Sequence, residues 1–173
     1  MTLSEPFIFD TVSPMARELP KAYESQQYES AIYKAWEKSE FFNPDVCVKK
    51  GVAKKSAKSF CIIMPPPNAN GSLHVGHALY TLQDIMARYH RMRGEKTLWL
   101  PGADHAGFET QVVYDKKLEK EGRNRFHMER GEQWKEMWDF TQAHKKIMEG
   151  QLRALGFSCD WSREKFTLDS GII

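Results

Sequence analysis

The sequence predicts an α/β fold built on a parallel sheet, and three observations carry that expectation. A short apolar run, Phe60-Cys61-Ile62-Ile63-Met64, has the length of a buried strand and stops at Pro65-Pro66-Pro67. A long helical pattern follows, from about Leu73 to Arg93, closed by Gly94. A second strand, Thr97-Leu98-Trp99-Leu100, then ends at Pro101-Gly102. Strand, helix and strand with short connections imply a right-handed crossover between parallel strands. In such sheets ligands bind beyond the carboxyl ends of the strands. The two least ordinary loops, 65–72 and 101–107, both follow a strand and therefore fall at that edge.

Residues 1–20 contain Pro6, Pro14 and Pro20, show no sustained period, and read as an irregular arm. Residues 26–41 predict a helix whose stripe is Tyr28, Ala31, Ile32, Ala35, Trp36 and Ser39, ended by Asn43-Pro44. The lysine-rich stretch 49–58 reads as a solvated linker or hairpin, or else as a phosphate-contacting patch. In the long helix, Leu79, Leu82, Ile85, Met86 and Tyr89 form the apolar stripe. Residues 108–121 and 129–156 predict further helices, punctuated by Gly122 and Gly156, and Lys165-Phe166-Thr167-Leu168 predicts a last strand.

Composition excludes several classes. Hydrophobic residues are 41% and charged residues 28% of 173, ordinary for a globular protein able to build a core. A formal charge of +2 gives no argument for nucleic acid, which must rest on motifs. Cys47, Cys61 and Cys159 are odd in number and widely spaced, so they read as buried or incidental thiols in a reducing compartment. The first ten residues lack the basic start and apolar stretch of a signal peptide, and no run approaches the roughly 18 apolar residues of a membrane span. A cytoplasmic location is the expectation, with no membrane partner.

The chemistry concentrates in Gly71-Ser72-Leu73-His74-Val75-Gly76-His77. Ser72 is placed to cap the helix, and two histidines three apart share its first turn. Free N–H groups at a helix start suit a phosphate, and imidazole donors there follow charge that grows at a transition state. Gly76 removes a side chain and lets a flat ring such as adenine approach. Two other readings stand beside this one: unremarkable surface histidines, and a metal site completed by Asp104 and His105. The H-E-x-x-H spacing of metalloproteases is absent.

The run P-P-P-N-x-x-G-x-L-H-x-G-H-A over residues 65–78 resembles the first signature of class I aminoacyl-tRNA synthetases. The resemblance continues through Pro101-Gly102-Ala103-Asp104-His105-Ala106-Gly107, Thr110-Gln111, Gln151 to Gly156, and Cys159 to Glu164. Over about residues 23–170 the series is similar to the valine branch, with isoleucine and leucine relatives as the alternative. The fold this implies is the first half of a Rossmann-like, parallel-sheet nucleotide-binding catalytic domain at 59–173, truncated, behind an amino-terminal arm, helix and Lys-rich linker at 1–58. The implied activity is ATP-dependent activation of valine and its transfer to tRNA(Val). ATP would enter with Mg2+ as substrate, no metal would be bound by this chain, and the parent enzyme would be a monomer.

By the same resemblance, His74 and His77 contact the ATP phosphates and stabilise the pentavalent transition state. Gly76 lies against adenine, Pro66 and Asn68 shape the valine pocket, and Asp104 pairs with the substrate ammonium. The last role has a physical basis, since an amino group needs a negative partner. His105 receives no role. Ala69-Asn70 stands where the family usually has valine-threonine, Ala103 where it has threonine, and Phe108-Glu109 where it has a smaller pair. No match exists in these residues to the second, lysine-serine-lysine signature, so the chain alone is expected to activate valine poorly. A non-catalytic module that holds ATP or tRNA, and a metal-dependent hydrolase, remain the competing classes.

Overall fold

The computed structural model describes residues 21–172, and the arm predicted for 1–20 lies outside them. Helix α1 spans Ser25–Ser39 and closes through Glu40, whose backbone is left-handed at φ 60. Asn43-Pro44 does not merely end a helix. Asn43 accepts from the amides of Asp45 and Val46 and so caps α2, Pro44–Lys49, with proline in its first turn. There the missing proline N–H costs nothing. Turns then carry the lysines outward, while Ala53 is buried. Lys50 Nζ bonds the Ser39 carbonyl at 2.9 Å and lies 3.5 Å from Glu40. This fits a solvated connection.

Strand β1, Ser59–Ile63, pairs in parallel with β2, Lys96–Leu100, from Ser59 opposite Lys96 to Ile63 opposite Leu100. The crossover between them holds a short 3-10 turn, Val75–Ala78, that runs straight into α3, Leu79–Met92. After Pro101 the chain re-enters a strand, β3, Gly102–Ala103, and α4 follows at Gly107–Lys120. Helix α5, Arg130–Ala154, leads through a polar turn to β4, Lys165–Phe166, which is parallel to β3. The Asp160 amide donates to the Trp99 carbonyl at 2.9 Å, so the segment before β4 lies along the edge of β2 opposite β1. This is a Rossmann-like α/β arrangement, as the sequence predicts, although the last strand is two residues and not four.

The core lies under one face of the sheet. Met64, Tyr80, Ala87, Trp99, Leu152, Phe157 and Cys159 form one buried cluster, and Ala69, Ala103, Met148 and Phe166 form another. Strand β1 is not buried on both faces. Ile62 packs against the first cluster, while Cys61 and Ile63 are exposed. The cysteines divide accordingly: Cys47 and Cys159 are buried and Cys61 is not.

Both predicted helix stripes are turned outward. On α3, Leu79, Leu82, Ile85, Met86 and Tyr89 are 48% to 59% exposed, whereas Tyr80, Asp84 and Ala87 face the core. The reason is the partner. The inner face of α3 meets the backbone turn at 156–160, whose polar groups need polar partners. Asp84 accepts from the Ser158 amide at 2.9 Å and from its hydroxyl at 2.5 Å, and Arg88 donates to Asp84 at 2.6 Å and to the Gly156 carbonyl at 2.6 Å. Arg91 donates to the Ser158 carbonyl at 2.6 Å, and burial draws its pKa down against the opposing pull of Asp84. Helix α1 likewise buries Tyr33, which is off its predicted stripe. The Tyr33 hydroxyl donates to the Phe157 carbonyl and accepts from the Trp161 indole, each at 2.8 Å, and burial pushes its pKa up.

Candidate active site

The two unusual loops are joined. Asn68 and Asp104 form a parallel bridge beyond the paired strands. The Ala69 amide donates to the Asp104 carbonyl at 2.7 Å, and the Asp104 amide donates to the Pro67 carbonyl at 2.9 Å. Pro66 sits over Gly102: a Cβ on that glycine would meet Pro66 Cβ at 3.5 Å and the Lys165 carbonyl at 3.1 Å. So Pro66, Asn68 and Asp104, predicted from separate parts of the sequence, share one edge at the carboxyl ends of β1 and β3. Beneath them, Ala69 and Ala103 are fully buried in the same cluster. Two of the departures from the family pattern are therefore neighbours in one packing layer, each filled by a methyl group.

The histidine turn is built differently from the expectation. Its cap is His74, not Ser72. His74 Nδ1 accepts from the Gly76 amide at 3.1 Å, and the His74 amide donates to His77 Nδ1 at 3.0 Å, a reciprocal capping box. Serine at 72 falls two residues too early, since residues 72–74 precede the first helical turn. The consequence is chemical. His74 Nδ1 accepts a backbone N–H and carries no proton, which leaves the proton of that neutral ring on Nε2, whereas His77 Nδ1 lies 3.0 Å from the His74 amide and 3.1 Å from the His74 carbonyl. The two rings lie edge to face, with centroids 4.2 Å apart. The turn thus presents a fixed Nε2–H donor on His74, with the His77 ring held against it.

Gly76 has a requirement within the chain itself. A Cβ there would approach His74 Cε1 to 2.8 Å and Nδ1 to 3.1 Å, closer than the ring tolerates. Two further residues hold the turn, and neither was assigned a role in it from sequence. Tyr80 donates to the Pro65 carbonyl at 2.7 Å, tying α3 to the end of β1, and its ring packs on His77 at 5.5 Å. Gln151 of α5 accepts from the Leu73 amide at 2.8 Å.

At Asp104, each carboxylate contact within the described residues is made through Oδ1. The Ala106 amide donates at 2.9 Å, the Thr167 hydroxyl at 3.1 Å, and His105 Nδ1 lies 3.5 Å away. Thr110 donates to the His105 carbonyl at 2.6 Å. Among the described residues no group of three or more His, Cys, Asp and Glu side chains is placed to hold a metal ion. Nor is any helix there long and apolar enough to cross a membrane. Two open clefts lie elsewhere, of about 790 Å³ between α4 and α5 and about 760 Å³ between α1 and the end of α5. Neither is lined by a residue of the 65–78 or 101–107 loops, and convergent donors and acceptors at the strand ends make the better site.

A doubly joined pair of strand-end loops, one with paired imidazoles and one with a carboxylate, gives an α/β domain with its polar side chains gathered at the strand ends. Residues 31–173 match the family tRNA synthetases class I (I, L, M and V), and the chain belongs to that family. Its relatives include a Valine--tRNA ligase from Treponema denticola, 48% identical over 158 residues, covering 91% of this chain and 17% of the relative. Another, from Dehalococcoides mccartyi, is 46% identical and covers 89% and 17%. Valine--tRNA ligase, chloroplastic/mitochondrial 2, of Arabidopsis thaliana is 48% identical over 142 residues and covers 82% and 14%. The chain therefore spans about one sixth of the length of the curated relatives it matches. Among solved structures, the LeuRS–tRNA–LeuAMS ternary complex of Agrobacterium radiobacter K84 superposes with a TM-score of 0.63 at 21% identity, over 87% of this chain and 17% of that one. That likeness concerns the fold.

Proposed function

We propose that this chain supplies one wall of the active site of an ATP-dependent valine--tRNA ligase. The observation that carries the reading is the cap that leaves the His74 proton on Nε2 and holds the His77 ring beside it. In the proposed reaction the valine carboxylate oxygen attacks the α-phosphorus of ATP, supplied with magnesium as substrate. A bond forms from that oxygen to phosphorus, the bond to the bridging oxygen breaks, and pyrophosphate leaves. Valyl-adenylate remains, and a hydroxyl of the terminal adenosine of tRNA(Val) then takes the valyl group and releases AMP.

His74 and His77 donate to phosphate oxygens as charge gathers on them, an effect worth about 2.7–4 kcal/mol per preorganised donor in other enzymes. Asp104 binds the valine ammonium, with Pro66 and Asn68 beside it. Gly76 keeps the first turn clear for His74 and for the adenine. The choice of valine rests on the relatives, since one methylene separates valine from isoleucine, worth about 1–3 kcal/mol in a pocket.

The test is amino-acid-dependent exchange of pyrophosphate into ATP by the complete parent protein, with valine, isoleucine and leucine compared. Exchange with valine at least about tenfold above the other two supports the reading. A preference for isoleucine or leucine overturns the valine assignment, and no exchange with any of the three overturns the enzyme assignment. The 173 residues contain no match to a lysine-serine-lysine loop. One-sided contact loses much of the positioning that makes the chemistry fast. The chain by itself is expected to bind ATP weakly and to support little exchange.

A further inference from the structure

We infer that Thr167 is a positioning residue for the amino-acid site, acting through Asp104 and fixing the proton of His105. It lies 63 residues from Asp104 in sequence and belongs to no motif, yet the fold delivers it to the same edge. Strand β4 runs parallel to β3, and the Thr167 amide donates to the Ala103 carbonyl at 3.1 Å. A turn after β4 holds this register: the Phe166 amide donates to Asp169 Oδ2 at 2.9 Å, and the Asp169 amide donates to the Phe166 carbonyl at 2.8 Å. Thr167 therefore follows its strand where Asp104 follows the neighbouring one.

The hydroxyl has three partners and three bonding positions. A threonine hydroxyl offers one hydrogen and two lone pairs. The His105 amide lies 2.9 Å from Oγ1, His105 Nδ1 lies 2.7 Å away, and Asp104 Oδ1 lies 3.1 Å away. The amide can only donate, and the carboxylate is the strongest acceptor of the three. The hydrogen therefore goes to Asp104 Oδ1, and the remaining lone pair takes a proton carried on His105 Nδ1. His105 is thereby fixed with its proton on Nδ1, the opposite tautomer from His74.

The effect on Asp104 is directional. Oδ1 is occupied by the Ala106 amide and the Thr167 hydroxyl, and Oδ2 makes no hydrogen bond or ion pair with any described residue. The side chain is 37% exposed, so Oδ2 is open to a cation from solvent. Holding one oxygen in two bonds orients the other, which lowers the entropy that an incoming ammonium must overcome. Thr110 braces the same loop from α4 through the His105 carbonyl.

This inference rests on the reading of Asp104 as the ammonium site, and the experiment separates the two. Pyrophosphate exchange is measured for the complete enzyme and for its Thr167→Val and Thr167→Ser variants. Binding of valinol, which keeps the ammonium, and of 3-methylbutanoate, which lacks it, is measured alongside. Thr167→Val is expected to raise KM for valine and weaken valinol about tenfold, leaving KM for ATP and 3-methylbutanoate binding unchanged. Thr167→Ser is expected to restore both. An active wild type whose Thr167→Val variant keeps its KM for valine, or weakens both analogues equally, overturns the inference. A wild type that shows no valine-dependent exchange overturns the reading beneath it instead. If the valine variant does not fold, the ring 15N shifts of His105 in the wild type decide: a proton on Nδ1 is expected, and one on Nε2 refutes the assignment.

Discussion

Replacing Gly76 by alanine separates two explanations of why that residue is glycine. The added Cβ would lie 2.8 Å from His74 Cε1, so the ring must leave its place. With it goes the bond from the Gly76 amide to Nδ1, one half of the capping box. A lost N-cap costs about 1 kcal/mol. Alanine over glycine returns up to about 0.8–1 kcal/mol of helix propensity, less in a first turn. The two nearly cancel, and at about 2–4 °C per kcal/mol for a chain of this size the melting temperature should move by no more than a few degrees. Activity should not cancel. A displaced His74 is one preorganised donor removed, so valine-dependent pyrophosphate exchange by the complete enzyme should fall about 10²–10³-fold. The decisive comparison repeats Gly76→Ala in a His74→Ala background. If the glycine serves only the histidine ring, the second substitution adds no further loss, because the two act through one contact. Losses that multiply would refute this account and return Gly76 to the adenine alone.

Other expectations follow from the same contacts. Asp84→Ala strips the Ser158 amide and hydroxyl and the Arg88 guanidinium of their shared acceptor. It should cost about 3–5 kcal/mol in urea unfolding, and a loss below about 1 kcal/mol would show that the inner face of α3 does not depend on it. Glu136 is held by the Arg123 guanidinium and then by the Tyr114 hydroxyl, which pull its pKa down from 4.5 to about 2. Its folded pKa lies below its unfolded value, so its contribution is complete above about pH 4.5 and fades as pH falls toward 2. Glu136→Gln should flatten stability against pH in that window, and an unchanged acid limb would contradict the pairing. On the outer face of α3, Leu82→Lys and Met86→Lys should each change stability by no more than about 0.5 kcal/mol, since neither side chain is covered in the described residues. A loss of 2 kcal/mol by thermal melting would mean that something covers the stripe. Of the three thiols only Cys61 is exposed, so one equivalent of an aromatic disulfide reagent should react quickly and two only on unfolding.

Residues that punctuate the chain were legible because their signals are local. Pro65-Pro66-Pro67 stops β1, Gly94 ends the turn after α3 with φ 78, and the spacing of the strands forces a parallel crossover. The loops followed from the strands, and Pro66, Asn68 and Asp104 came together as that topology requires. What stayed hidden depends on the chemistry of a distant partner. Period 3.6 marked the stripe from Leu79 to Tyr89 correctly as apolar, but a period cannot say which face meets protein. The answer lay in Ser158, whose amide, hydroxyl and carbonyl draw Asp84 and Arg91 inward and so turn the apolar face out. The cap was misplaced at Ser72 for a similar reason. Serine is the commoner cap, but imidazole Nδ1 of His74 takes the Gly76 amide, which a cap at Ser72 would not meet, and also sets the His74 tautomer on which the proposed chemistry depends.

Thr167 was within reach of the sequence. Lys165 to Leu168 predicted a strand, and a strand parallel to the one ending at Ala103 must finish at the same edge as Asp104. A hydroxyl at that position was a signal that no motif search would weigh. Motifs name the candidate groups for a ligand. The groups that aim them are found by asking which strand ends beside the motif and whether its next side chain can donate.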